Sequence, residues 1–142
     1  ALHIPAERMK GGKRAHSVPL SSQALNVLEQ MQRYTGNRKY VFCSRIAPYT
    51  KPMNSGAANV ALKRMGFQGL LVAHGLRSIA STYLHELDRF SSESIELCLS
   101  HETRGKVRAA YDKSKKWKSR QEIMQCWGDY VEQCKVQALR MS

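Results

Sequence analysis

Leu76, Ile79, Ala80, Tyr83, Leu84 and Leu87 recur at helical spacing, which predicts a helix from His74 to about Asp88 with one buried face. His74 and Arg77 lie three residues apart on that helix, one turn apart beside the apolar stripe. A second apolar run, Ile95 to Leu99, ends in Ser100-His101, and a third short helix, about Thr103 to Tyr111, ends in a tyrosine. One guanidinium, two imidazoles and a phenol on these segments can converge on a single phosphate. Arginine clamps phosphate oxygens bidentately, histidine donates hydrogen bonds or moves protons, and a tyrosine hydroxyl can act as a covalent nucleophile. Each has an ordinary reading when taken singly. Tyr111 then ends a helix, Arg77 is solvated, His74 caps a helix start, and His101 is an imidazole at a helix C-terminus, favoured by the macrodipole.

The rest of the chain supplies a frame. Leu2 to Pro5 and His16 to Leu20 read as strands, and the Gly11-Gly12 pair between Lys10 and Lys13 suits a tight hairpin turn with positive φ. Ser21 or Ser22 caps a helix to about Tyr34, with Ala24, Val27, Leu28, Met31 and Tyr34 on its buried face and Gly36 as its stop. Tyr40 to Cys43 is a short extended apolar run, and Arg45 to Met53, with two prolines, is loop. Asn54 or Ser55 caps a helix that ends near Gly66, and Ser91-Ser92-Glu93 restarts helix after the break at Arg89-Phe90. The last helix runs from about Trp117 to Leu139, with Met124, Trp127, Val131, Cys134 and Ala138 as a packing stripe against its own domain or a neighbouring subunit. The expected fold is α+β, mainly α, with a small antiparallel hairpin and one core over residues 1–142.

Lysine and arginine number 23 against 11 acidic residues, a net charge of +12, which points to a polyanion partner, nucleic acid before membrane. Two basic turns concentrate it: Lys10, Lys13 and Arg14, and Lys113, Lys115 and Lys116. No run approaches a membrane span and none reads as a signal peptide, so a cytoplasmic, nucleoid-associated location is expected. The four cysteines show no CxxC spacing, and reduced thiols are expected, with no metal site and no cofactor.

The order His74-x-x-Arg77, then Leu99-Ser100-His101, then Tyr111 resembles the tyrosine recombinases, the phage-type integrases. Ile4 to Lys10 and Arg108 to Tyr111 are similar to segments of integrases from prophages and genomic islands, and the resemblance covers nearly the whole chain. It implies a helical catalytic domain that cleaves and rejoins DNA through a 3′-phosphotyrosyl link, needing no cofactor. Tyr111 would be the nucleophile, Arg77 and His101 would hold the phosphate, and His74 would take the tyrosine proton or bond the phosphate.

A hairpin lysine protonates the departing 5′ oxygen in the resembled family. Lys10 matches it by place, and one extra residue before Val18-Pro19 keeps Lys13 as the alternative. The family's first arginine sits in an upstream Gly-x-Arg-like segment. Since the chain opens mid-strand without Met, that part is expected to precede it, and the chain alone to be weakly active. Ser100 stands where the family has glycine, an exchange of small residues expected to matter little. The implied partners are double-stranded attachment-site DNA, further protomers in a synaptic tetramer, and accessory bending or directionality proteins. The rival readings are a type IB topoisomerase-like enzyme and a DNA-binding module with a decayed site.

The charge predicts binding to duplex DNA with little sequence preference and steep salt dependence. A titration against salt should give a clearly negative slope of log affinity on log salt; a flat slope would show that phosphate neutralisation is not the main contribution.

Overall fold

The computed structural model describes residues 1–9, 15–100 and 116–141. The chain divides into two compact units, Ala1–Gln23 with Ala80–Ser142, and Ala24–Ile79. The fold is mainly helical with one small antiparallel sheet, as the periodicities predict.

In the first unit, β1 (Leu2–Ile4) and β2 (His16–Val18) pair antiparallel, with Leu2 opposite Val18 and Ile4 opposite His16. A 3-10 turn over Ala6–Arg8 follows β1, and the expected Gly-Gly turn falls on residues 10–14, outside the described ones. The strands lead to α1 (Ser22–Thr35), which begins where the serines predict.

A long helix, α5 (Trp117–Met141), organises the unit through its first half, where Arg120, Ile123 and Gly128 are buried. Ile123 packs with Leu84 of α3 (Ala73–Glu86) and with Ile95 and Cys98 of α4 (Ser92–Cys98), inside a ring that includes Tyr83, Phe90, Leu99, Met124 and Trp127. Leu84, Ile95 and Ile123 are fully buried, and each such side chain contributes about 1.5–3 kcal/mol by leaving water. Tyr83 and Tyr130 stack with ring centroids 3.8 Å apart beside Trp127.

Two groups fasten the hairpin and the start of α1 to this helix. Arg120 donates from Nη2 to the Ser17 carbonyl of β2. Gln125 Oε1 accepts the Ser22 N–H at 2.9 Å, so an amide from α5 satisfies one of the open donors at the start of α1. Gln23 and Gln125 both donate to Asp129 Oδ1, at 2.7 and 2.8 Å, and these two amides, Gln23 first, hold its carboxyl below the usual carboxylate range. Gly128 lies under this network. A Cβ there would stand 2.4 Å from Gln23 Oε1, 2.7 Å from Ser21 Oγ and 2.8 Å from Ser21 Cβ.

The second unit is built on short local bonds. On α1, Ala24, Leu28, Met31 and Thr35 form the covered side, while Val27 and Tyr34, expected there, are exposed, Tyr34 by 73%. The buried Thr35 hydroxyl lies 3.0 Å from the Met31 carbonyl and 2.9 Å from the Val41 carbonyl, fixing the chain as it leaves the helix. The expected extended run at residues 40–43 is reduced to a bridge between Cys43 and Pro52, closed by Ser44 N–H to Lys51 O and Met53 N–H to Phe42 O. Asn54 does not cap the next helix; its side chain takes the Gly56 N–H at 2.8 Å in the preceding turn. Then α2 (Ala57–Leu62) gives way to a π-helical turn over Lys63–Phe67, where Gly66 at φ +91° ends the helical path as only glycine does without strain.

Two apolar stripes are shorter than their periodicity suggests. On α3, Ala80 and Leu84 are buried and Tyr83 is half-buried, but Leu76 and Ile79 are 46% and 45% exposed, and Leu87, just past the helix end, is also exposed. On α5, Met124 and Trp127 join the core, whereas Val131, Cys134 and Ala138 are exposed. Periodicity assigns residues to a common face; it carries no information on how far along that face a neighbour extends. No helix among the described residues is long and apolar enough to cross a membrane.

Gly128→Ala tests the tight contact. Alanine gains about 1 kcal/mol of helix propensity, but its Cβ would meet Ser21 Cβ and break the Gln23–Asp129 network. The clash should win, with a net loss of about 1–3 kcal/mol read from the urea midpoint.

Candidate active site

The first turn of α3 presents His74, which is exposed, and Arg77, which is half-buried, on the predicted helix and with the predicted one-turn spacing. Two bonds hold that turn. Asn59 of α2 reaches across to accept the Ala73 N–H at its Oδ1, 2.7 Å away, and the Gly75 N–H bonds the Val72 carbonyl at 2.8 Å. Asn59 thus caps α3 from a different helix and sets where His74 and Arg77 begin. A helix N-terminus with a guanidinium one turn in is suited to an anion, because backbone N–H groups and the macrodipole both favour negative charge.

The segment that carries His101 and Tyr111 leaves α4 and rejoins the described chain at Lys116. The helix restarts at the expected Ser91-Ser92-Glu93 segment, and Ser91 caps α4, its Oγ accepting the Ser94 N–H at 3.3 Å. Leu99 closes the helix, and Ser100 then adopts φ +59°. This corrects the expectation that serine for glycine is of little account here. The left-handed conformation is open to glycine, while a residue with a Cβ is strained in it. At the far end Lys116 pairs with Glu93 of α4, and Arg120 lies with its guanidinium 5.3 Å from the Trp117 ring centroid. Cys98 Sγ lies 3.8 Å from the Arg120 carbonyl, and burial raises its thiol pKa. The packed pair α4 and α5 is therefore the base from which residues 101–115 depart and to which they return.

Of the expected catalytic residues His74 and Arg77 stand one turn apart on α3; Lys10, His101 and Tyr111 lie outside the described residues. Of the expected DNA-binding residues Lys13, Arg14, Lys113 and Lys115 also lie outside, and Lys116 is engaged with Glu93. All four cysteines are free, and among the described residues no three His, Cys, Asp or Glu side chains gather as a metal site would require. Sequence reasoning missed Asn59 and Arg120. Neither lies in a local motif, because each acts on a residue distant in sequence.

The helical fold, the small antiparallel sheet and the His74-x-x-Arg77 turn suit the catalytic domain of an integrase. Residues 1–118 match the model of the phage integrase family, and the chain belongs to that family. It is 50% identical to Prophage integrase IntA of Escherichia coli (strain K12) over 91% of this chain and 30% of that protein. It is 36% identical to Prophage integrase IntZ of the same organism, over 92% of this chain and 32% of that protein. It is 37% identical to the Integrase of Enterobacteria phage P4, over 84% of this chain and 28% of that protein. The chain thus spans about a third of the length of the curated relatives it matches. No solved structure matches it.

The strain at Ser100 predicts that Ser100→Gly stabilises the protein by about 1 kcal/mol, less what glycine loses in chain entropy. A raised urea midpoint with unchanged slope is the expected result; a lowered midpoint would mean that the serine side chain makes up for its backbone.

Proposed function

We propose that the protein of which this chain forms part is a site-specific recombinase that integrates or excises a prophage or genomic island. The observation that carries this reading is the match to the phage integrase family over residues 1–118, together with His74 and Arg77 on the capped first turn of α3. Its substrate is duplex DNA at attachment sites, held by the excess of basic residues. It works in the cytoplasm, on the nucleoid, as a synaptic tetramer assisted by DNA-bending or directionality proteins.

In the reaction the Tyr111 hydroxyl oxygen attacks the scissile phosphorus. The bond from tyrosine oxygen to phosphorus forms as the bond from phosphorus to the 5′ oxygen breaks, leaving a 3′-phosphotyrosyl link. His74 takes the phenolic proton or bonds the phosphate, and Arg77 and His101 stabilise the charge that builds on the non-bridging oxygens. A hairpin lysine, Lys10 or Lys13, gives the 5′ oxygen its proton. A 5′ hydroxyl from the partner strand then reverses the steps. The tyrosyl ester keeps the energy of the phosphodiester, so rejoining draws on no nucleotide.

A topoisomerase-like enzyme of the type IB kind would share the covalent step, and a decayed binding module would lack it. Covalent trapping separates these readings. The full-length protein should form a protein–DNA adduct on nicked attachment-site DNA, seen on a denaturing gel, and exchange strands between two sites. Tyr111→Phe should abolish the adduct and leave binding intact, and Arg77→Ala should slow its formation by about 100- to 1,000-fold. An adduct that survives Tyr111→Phe would place the nucleophile elsewhere. Relaxation of supercoils without strand exchange would favour the topoisomerase.

A further inference from the structure

We propose that the loop of residues 44–51 is a further contact on the duplex. It seats Ile46 in the minor groove with Arg45 and Lys51 on the phosphates at either side, an inference that rests on the DNA substrate assigned above. The loop belongs to the second unit, Ala24–Ile79, which also carries His74 and Arg77. That unit holds eight lysines and arginines against one carboxylate, Glu29. Arg45 and Lys51 are exposed, and neither is in an ion pair among the described residues. A surface with so little acid of its own fits a polyanion.

The loop has a defined shape. Cys43 and Pro52 pair across its neck, and the Ser44 N–H bonds the Lys51 carbonyl at 2.9 Å. Nearer the tip the Thr50 and Lys51 N–H groups both bond the Ala47 carbonyl, at 3.3 and 3.0 Å. Arg38 braces the base: Nη1 donates to Cys43 Sγ at 3.1 Å, and the guanidinium lies 5.5 Å from the Tyr49 ring centroid. Ile46 stands outside all of these contacts at 91% exposure, more than any other large hydrophobic side chain among the described residues. Covering it releases its hydration water, a gain that charge alone does not supply.

Size and chemistry select the groove. The tip is one isoleucine followed by Ala47 and Pro48, with no donor or acceptor side chain to read the base edges that distinguish sequences in the major groove. The minor groove is about 6 Å wide, too narrow for a helix but open to a single aliphatic wedge. Ser44 and Lys51 face each other across the neck, so Arg45 and Lys51 rise on opposite limbs. Paired limbs lie about 5 Å apart, close to the groove's width, and their long side chains reach the phosphates of both walls.

The test uses the full-length protein on attachment-site duplex. Ile46→Ser should weaken binding about tenfold or more with the salt slope unchanged, since isoleucine displaces no counterion. Arg45→Ala and Lys51→Ala should each weaken binding and make the slope shallower by about 0.9. Normal affinity for Ile46→Ser, or normal slopes for both cation variants, would overturn the proposal. An iron–EDTA reagent tethered at Ile46→Cys then reports the groove directly, with the unsubstituted protein treated alike as the background from other cysteines. Strand cuts offset toward the 3′ ends, as the nearest sugars across the minor groove are, are expected; cuts offset toward the 5′ ends, or none above background, would overturn it. Covalent adduct formation by the unsubstituted protein without loop-dependent cuts would leave the recombinase reading standing and remove the loop contact. Loop-dependent cuts without any adduct would remove the recombinase reading and keep the loop as a duplex contact.

Discussion

The first unit depends on the burial of Ile123 against Leu84, Ile95 and Cys98. These apolar side chains come from three helices, and their exclusion of water holds α3, α4 and α5 together. Several of the unit's polar contacts are placed by α5. With Ile123 in place, Arg120 lies one turn before it and meets β2, while Gln125, Gly128 and Asp129 lie after it and meet the start of α1. One helix therefore carries the core, the hairpin and the first helix on successive turns.

The polar contacts are specific because they are crowded and directional. Gly128 is needed since no Cβ fits between α5 and Ser21, and the absent side chain allows Gln125 and Asp129 to reach Ser22 and Gln23. Asn59 does the same for α3 in the second unit, accepting the Ala73 N–H. In each case a helix start is satisfied by a side chain on another helix. Position along the chain is thereby converted into position in space, which a reactive constellation requires.

Glycine and its replacement matter at two helix ends in opposite ways. Gly66 turns the chain out of the π-helical turn at φ +91° without strain, whereas Ser100 makes a similar left-handed turn at φ +59° with a Cβ in place. Ser100 stands directly before His101, so the strained turn falls where the chain leaves its packed base. Side-chain size was the wrong criterion for that exchange; backbone conformation is the relevant one.

Local spacing was enough to read the helix of His74 and Arg77 with their one-turn relation, the helix from Ser92, the last helix and the antiparallel strand pair, because helix and strand periodicities are properties of consecutive residues; the helix expected from about Thr103 to Tyr111 lies outside the described residues. The order of His74, Arg77, His101 and Tyr111, and the basic excess, are likewise legible in one dimension. What only the tertiary structure decided is how much of each apolar face is covered and which distant side chain completes each helix start. Leu76, Val27, Tyr34 and Val131 fit the stripes yet lie exposed, since burial depends on where a neighbouring helix stops. Asn59 and Arg120 look like ordinary polar residues in the sequence. They acquire their roles only when folding brings each against a backbone group distant in the chain, the Ala73 N–H and the Ser17 carbonyl.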